Sequence, residues 1–137
     1  MAAPEFPVVI YHNPDCGTSR NALAMIRAAG YEPTVIEYLN AGWRVGQLRT
    51  LIAEAGATAR DFLREKGAPA ASLGLLAGDV LDDQIIDAMA AHPILVNRPI
   101  VVTPKGVKLC RPSEVVFDLL ERRAEVFTKE DGEVVRP

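Results

Sequence analysis

The fold is decided by the stretch PVVIYHNPDCGTSR at residues 7–20. Its first part, residues 7–11, is β-branched and aromatic and predicts a short strand that ends at His12-Asn13-Pro14. A helix is predicted from about residue 17 to residue 29, because apolar residues recur there at helical spacing and Gly30 follows as a natural stop. A strand that passes directly into a helix in this way predicts the start of a βαβ unit.

The order of the remaining elements predicts an α/β, thioredoxin-like fold. Further strands are predicted at residues 34–39, 99–103 and 107–110, short helices between Arg44 and His92, and a last helix that Pro112 opens. The first two strands should be parallel because a helix joins them, and the last two antiparallel because a tight turn joins them. We therefore expect one domain, 1–137, with a four-stranded mixed sheet flanked by helices and a helical insertion at about 44–92 in the middle crossover.

Smaller features of the insertion and the tail are also predicted. Leu48, Leu51 and Ile52 mark one helix of the insertion. Thr58 is expected to cap a second helix, and Asp82 a third. The tail at residues 128–137 is polar and is expected to be loosely held.

The composition restricts the classes of function. A chain of 137 residues with 49% hydrophobic and 24% charged residues is an ordinary globular one. Its net charge of -3 argues against a broad electrostatic grip on nucleic acid or on an acidic membrane. There is no apolar run of membrane-spanning length and no secretory pattern at the start. Two cysteines cannot form a metal site alone, so we expect free thiols, no metal and a cytoplasmic location.

Cys16 is the candidate nucleophile, because it lies where the first strand passes into the first helix. The unpaired backbone N–H groups and the dipole of a helix N-terminus favour a thiolate over a thiol. The same N–H groups attract an oxyanion, and Gly17, Thr18 and Ser19 allow close approach and add hydroxyl donors. The alternative is that Cys16 is only a small buried hydrophobic residue.

Neighbouring side chains can tune this cysteine. His12, if protonated and near the sulfur, would raise the thiolate fraction, although it can equally be a surface imidazole at a strand end. Ser19 is either bonded to the sulfur or a plain residue of the first helical turn. Asp15 would oppose the thiolate if it pointed at the sulfur, or would cap the helix. Position 19 is serine where a dithiol oxidoreductase has its second cysteine, so Cys110 or an external thiol must resolve any intermediate on Cys16.

Arginines beside apolar stretches could hold an oxyanion, since a guanidinium grips a tetrahedral anion in a planar, bidentate manner. The candidates are Arg64, Arg98 and Arg111. From spacing alone, the ordinary interpretation of each is a solvated surface side chain. The peptide between Arg98 and Pro99 precedes a strand and could be cis.

Four motifs together carry a resemblance to a known family. They are YHNP with CGTSRN at residues 11–14 and 16–21, HPILVNRPIVVTP at 92–104, LCRPSEVV at 109–116 and FTKEDGE at 127–133. They are long, they span nearly the whole chain, and they resemble those of the glutaredoxin-coupled arsenate reductases, which have a thioredoxin fold.

The resemblance implies a role for each matching residue. Cys16 would be the sole essential nucleophile, Arg64, Arg98 and Arg111 would hold the oxyanion, and His12 with Ser19 would lower the pKa of the cysteine. The peptide before Pro99 would be the cis-proline of the fold, and Cys110 would not be required.

The resemblance also implies a reaction and its partners. Arsenate would be reduced to arsenite through a Cys16 thiol–arsenate intermediate, in arsenic detoxification. Glutathione would be the co-substrate and glutaredoxin the protein partner, with no bound cofactor and no nucleic acid or membrane partner.

Two alternatives stay open at this point. One is a redox-responsive regulator of transcription that binds RNA polymerase, although such proteins commonly carry a CxxC switch that Ser19 removes here. The other is a related thiol oxidoreductase that acts on a different substrate, such as a glutathionylated protein.

Overall fold

The structure, a computed structural model, describes residues 6–137. These residues divide into two compact units, one formed by residues 6–37 with Arg98–Pro137 and the other by Tyr38–Asn97. The second unit contains the whole of the predicted insertion, while the prediction of a single domain stays a prediction. Among the described helices, none is long and apolar enough to cross a bilayer.

The first unit is built on a mixed four-stranded sheet, as predicted. Its elements are β1 (Val9–His12), α1 (Gly17–Ala28), β2 (Thr34–Glu37), β3 (Ile100–Thr103) and β4 (Gly106–Leu109). The strand order is β2-β1-β3-β4, with β1 parallel to β2 and the other two pairs antiparallel. The carboxyl ends of β1 and β4 therefore lie at the same edge of the sheet, together with the amino end of β3.

Helix α1 packs on the core of this unit through one apolar face. Ala22, Met25, Ile26 and Ala29 are buried and recur at the spacing of successive helical turns. They share the core with Ile10, Val101 and Phe117, among others. Truncation of a fully buried aliphatic side chain such as Ile26 to alanine costs roughly 2–5 kcal/mol. This packing fixes α1 on the sheet, and with it the helix N-terminus that follows β1.

The second strand is shorter than predicted. It ends at Glu37, and the chain continues as the short helix α2 (Tyr38–Ala41). The Tyr38 side chain is buried and its ring stacks on Trp43 with 5.4 Å between centroids. Burial of two aromatic side chains thus overrides the β propensity of residues 38 and 39.

The second unit is helical, with α3 (Val45–Glu54), α4 (Asp82–Ala91) and 3-10 turns at Arg60–Phe62 and Pro93–Leu95. The predicted Thr58 cap is wrong, because the element is only a 3-10 turn and Ala59 takes its cap position, although the Thr58 hydroxyl still accepts the Asp61 N–H at 3.3 Å. The predicted Asp82 cap is also wrong. Leu81 takes the cap position, and the Asp82 carboxylate instead accepts the Ala59 N–H at 3.2 Å.

The end of the chain differs from its prediction. The last helix is a 3-10 helix at Ser113–Leu119, and Pro112 precedes it as the cap. The tail forms a hairpin in which β5 (Phe127–Thr128) pairs with β6 (Val134–Val135), so the expectation of a loosely held tail is wrong. Gly132, with φ of +93°, makes the turn that only glycine adopts without strain.

Candidate active site

Cys16 lies at the N-cap position of α1, with an extended backbone at φ −103° and ψ 120°. The loop before it is closed by two hydrogen bonds. The Cys16 N–H donates to the Asn13 carbonyl at 3.0 Å, and the Asp15 N–H donates to Asn13 Oδ1 at 2.9 Å. This turn brings the free backbone N–H groups of the first helical turn to the Cys16 sulfur.

The surroundings of the Cys16 sulfur favour the thiolate. Burial of the Cys16 side chain raises its pKa. Hydrogen bonds from the Ser19 and Thr18 backbone N–H groups lower it, as do the guanidinium groups of Arg98 and Arg111. These lowering effects outweigh burial, so that the net pKa of Cys16 lies below its ordinary value of 9.0. The first turn of α1 has no acidic residue to oppose them.

The sheet brings Arg98 and Arg111 to the same edge as Cys16. Arg98 precedes β3 and Arg111 follows β4, and the two ends are joined because the Cys110 N–H donates to the Pro99 carbonyl at 2.9 Å. Arg111 Nη1 lies 3.8 Å from Cys16 Sγ and donates to the Arg98 carbonyl at 3.0 Å. The peptide before Pro99 is cis, as predicted, and so is the peptide before Pro112.

His12 and Ser19 form a buried pair beside the cysteine. The His12 Nδ1 and Ser19 Oγ atoms are 2.7 Å apart, and Ser19 Oγ also accepts the Asn13 N–H at 3.0 Å. Burial lowers the pKa of His12. The Glu37 carboxylate raises this pKa, and the cations of Arg20 and Arg27 lower it. The neutral imidazole is therefore favoured. His12 can influence the Cys16 sulfur through its hydrogen bond to Ser19, and not as a nearby cation.

Asp15 does not take the role of helix cap that was considered for it. The cap position belongs to Cys16, and Asp15 lies one residue outside the helix with an exposed side chain. The first-turn N–H groups are therefore left to the Cys16 sulfur and to any anion beside it.

Arg64 belongs to the second unit, where residues 62–64 pair with residues 95–97. The Arg64 N–H donates to the Leu95 carbonyl at 2.7 Å, and its Nε donates to the Lys66 carbonyl at 3.0 Å. Gly67 has φ of +72°, a backbone conformation that favours glycine, and a Cβ there would lie 2.9 Å from the flexible end of the Arg64 side chain. The predicted role of Arg64 in anion binding stays a prediction.

Cys110 has surroundings opposite to those of Cys16. Its side chain lies in the hydrophobic core, and its thiol donates to the Lys108 carbonyl at 3.7 Å. Burial raises the pKa of Cys110 to about 12, with the Lys108 cation acting against this and the Asp118 carboxylate adding to it. A thiol with this pKa stays protonated at neutral pH, which argues against Cys110 as an internal resolving group.

Arg20 and Glu130, which the sequence interpretation did not single out, form a pair that contacts the Cys16 loop through Arg20. Arg20 Nη1 donates to the Pro14 carbonyl at 2.8 Å, and its Nε and Nη2 atoms bind the Glu130 carboxylate at 2.9 and 3.0 Å. Arg20 lies within the CGTSRN motif, which was the available signal. Glu130 is separated from Arg20 by 110 positions, and no local pattern could pair them.

The arrangement combines a nucleophile with a site for an anion. A sulfur whose pKa is lowered lies among backbone N–H groups and two guanidinium groups, and the same donors can bind the oxygens of a tetrahedral oxyanion. Within residues 6–137, no group of three or more His, Cys, Asp or Glu side chains is placed to hold a metal ion. The chemistry available to these residues is nucleophilic attack by sulfur on a bound oxyanion.

Comparison with known proteins gives consistent matches. The ArsC family profile matches residues 11–119. Arsenate reductase ArsI2 of Synechocystis sp. is 61% identical over 129 residues, which is 93% of this chain and 92% of that protein. An arsenate reductase of Escherichia coli is 57% identical over the same shares of the two chains. The solved arsenate reductase of Vibrio cholerae superposes with a TM-score of 0.80 at 39% identity, covering 84% of this chain and 98% of that one.

Proposed function

The chain belongs to the ArsC family, and from this premise we propose that it reduces arsenate to arsenite with Cys16 as the nucleophile. The observation that carries the proposal is the Cys16 sulfur, whose pKa is lowered by the first-turn N–H groups of α1 and by Arg98 and Arg111. Arsenate is a tetrahedral oxyanion, and the donors that stabilise the thiolate also offset the repulsion between it and an anionic substrate.

The first chemical step is attack of the thiolate on arsenic. A bond forms between Cys16 Sγ and arsenic, and one oxygen leaves as hydroxide, or as water once protonated. The product is a Cys16 thiol–arsenate adduct in which arsenic is still pentavalent. Arg111 Nη1, at 3.8 Å from the sulfur, is placed to bind an arsenate oxygen during this step.

Reduction then needs two electrons, which two external thiols supply. Glutathione adds a second sulfur to arsenic and expels another water. A glutaredoxin thiolate attacks the glutathione sulfur, so that the arsenic–sulfur bond breaks with its electron pair left on arsenic and a mixed disulfide forms. Water then cleaves the remaining bond to Cys16, which releases arsenite and restores the thiol.

Two positions in the chain support an external reductant. Position 19 is serine, and Cys110 is a protonated core thiol. A reductant of the glutathione type is available in the cytoplasm, which is the proposed place of action.

The test is a coupled assay of NADPH consumption with this protein, glutathione, glutaredoxin and glutathione reductase. We expect consumption that depends on arsenate and that is lost in Cys16→Ser but kept in the matched variant Cys110→Ala. If wild-type protein shows no dependence on arsenate but still releases glutathione from a glutathionylated protein, the chain is a thiol oxidoreductase with another substrate. That result would overturn the proposal.

A further inference from the structure

The tip of the C-terminal hairpin, residues 127–135, touches both segments that carry the candidate active site. We propose that Lys129 and Glu130 are positioning residues that hold Cys16 and Arg111 at their working distance. The role of these two residues in catalysis rests on the proposed function, whereas their effect on the distance between Cys16 and Arg111 does not.

Glu130 holds the Cys16 segment. Its carboxylate binds Arg20 through both oxygens, and its N–H donates to Asn21 Oδ1 at 3.1 Å. Arg20 in turn donates to the Pro14 carbonyl at 2.8 Å, two residues before Cys16. A Cβ on Gly17 would lie 3.8 Å from a Glu130 oxygen, so this carboxylate lies directly beside the start of α1.

Lys129 holds the Arg111 segment. Its ammonium group lies 2.8 Å from a Glu114 oxygen and 2.6 Å from a Glu133 oxygen, and only 9% of the Lys129 side chain is exposed. Glu114 is in the 3-10 helix that begins just after Arg111 and Pro112. The pKa of Glu114 is lowered, mainly by Lys129, as expected for a carboxylate with a close cation.

Two consecutive residues with opposite charges thus bind two segments that are far apart in the sequence. Between these segments, Ser113 Oγ donates to the Thr18 carbonyl at 3.1 Å, and Arg111 Nη1 lies 3.8 Å from Cys16 Sγ. The Arg20 and Glu130 side chains are 44% and 49% exposed, and ion pairs this exposed contribute little to stability. We therefore expect the ion pair of Arg20 and Glu130 to affect the geometry of the site more than the stability of the fold.

The experiment measures the alkylation of Cys16 by iodoacetamide as a function of pH, followed by mass spectrometry. We expect Glu130→Gln and Lys129→Met each to slow alkylation at neutral pH by about threefold and to move the pH midpoint upward, because the thiolate loses part of a charge-assisted hydrogen bond. Lys129→Arg, which keeps the cation, should restore the wild-type rate. The matched control is Glu32→Gln, which breaks the exposed pair of Arg27 and Glu32 near the other end of α1.

Coupling to Arg111 separates positioning from a general disturbance. In an Arg111→Gln background, Glu130→Gln should change the alkylation rate by less than about 1.5-fold, since the contact that it supports is already absent. A full threefold effect in that background would overturn the inference. So would faster alkylation in Glu130→Gln, which is expected if the carboxylate only repels the thiolate. The assay contains no arsenate, so its result does not depend on whether the chain reduces arsenate.

Discussion

The two cysteines of this chain lie at the same edge of the same sheet, Cys16 after β1 and Cys110 after β4. Both are buried, with 6% and 0% of the residue exposed. Their pKa values nevertheless move in opposite directions, below the ordinary value for Cys16 and to about 12 for Cys110. Burial raises the pKa of both, so burial alone cannot explain the difference.

The difference lies in the groups that surround each sulfur. At Cys16, hydrogen-bond donors and two guanidinium groups outweigh burial, whereas at Cys110 burial is the main cause of the raised pKa. The Cys16 sulfur accepts backbone N–H groups of a helix start, which favours the thiolate. The Cys110 sulfur donates to a carbonyl, which favours the protonated thiol. The reactivity of a buried cysteine in this protein thus depends on the hydrogen-bond donors and cations around its sulfur. Changing these groups tests the comparison between Cys16 and Cys110.

The largest expected effect is on turnover with arsenate. Cys16→Ser should reduce it by about a thousandfold or more, because the hydroxyl is a far poorer nucleophile than the thiolate. Cys110→Ala should stay within about twofold of wild type and lose only about 1 kcal/mol of stability to a small cavity. Steady-state assays and thermal unfolding of both variants check this, and equal losses of activity would break the distinction between the two thiols.

The next effect comes from the guanidinium groups. Arg111→Ala and Arg98→Ala should each lower kcat/KM for arsenate by about 10²–10³-fold, as expected when a donor to a developing charge is removed. Arg111→Lys should recover only part of this, because an ammonium group cannot reproduce a planar, bidentate grip. Activity of Arg111→Ala near the wild-type level would show that the contact to Cys16 is not used in the reaction.

The sequence was sufficient for the parts of this site that depend on local order. Cys16 between a strand and a helix and Ser19 in place of a second cysteine follow from neighbours in the chain, whereas the cis peptide before Pro99 was implied by the family resemblance. The contact of Arg20 with Glu130 does not, since it depends on the path of a tail that was expected to be loose. The neutral state of His12 was also hidden, because its burial and its bond to Ser19 are tertiary features.

A smaller effect is expected at Ser19. Its Oγ joins His12 to the Asn13 N–H, while its own backbone N–H binds the Cys16 sulfur. Ser19→Ala should keep the backbone donor but loosen the loop, and should lower the rate of Cys16 alkylation at neutral pH by about twofold to fivefold. A stopped-flow alkylation series checks this, and an unchanged rate would mean that the Ser19 hydroxyl and its bond to His12 do not affect the thiolate fraction of Cys16.

The smallest effect concerns stability at alkaline pH. Since the folded-state pKa of Cys110 is raised to about 12, the unfolded chain loses this proton first as pH rises above 9.0, and stability falls. This one group contributes a slope of no more than about 1.4 kcal/mol per pH unit. Denaturant unfolding at several pH values should show a shallower fall in Cys110→Ala than in wild type. The contribution of Cys16 to stability depends on pH in the opposite direction. Because its pKa is lowered in the folded state, this contribution is present above pH 9.0 and is lost as the pH falls through the lower folded-state pKa.

The most direct test of the central claim is the alkylation of both cysteines in the folded protein, resolved by site with mass spectrometry between pH 5 and about pH 9. The account predicts that Cys16 is modified with a midpoint below 9.0, and that Cys110 stays unmodified until the chain is unfolded. Modification of Cys110 at a rate similar to that of Cys16, or a Cys16 midpoint at or above 9.0, would contradict it.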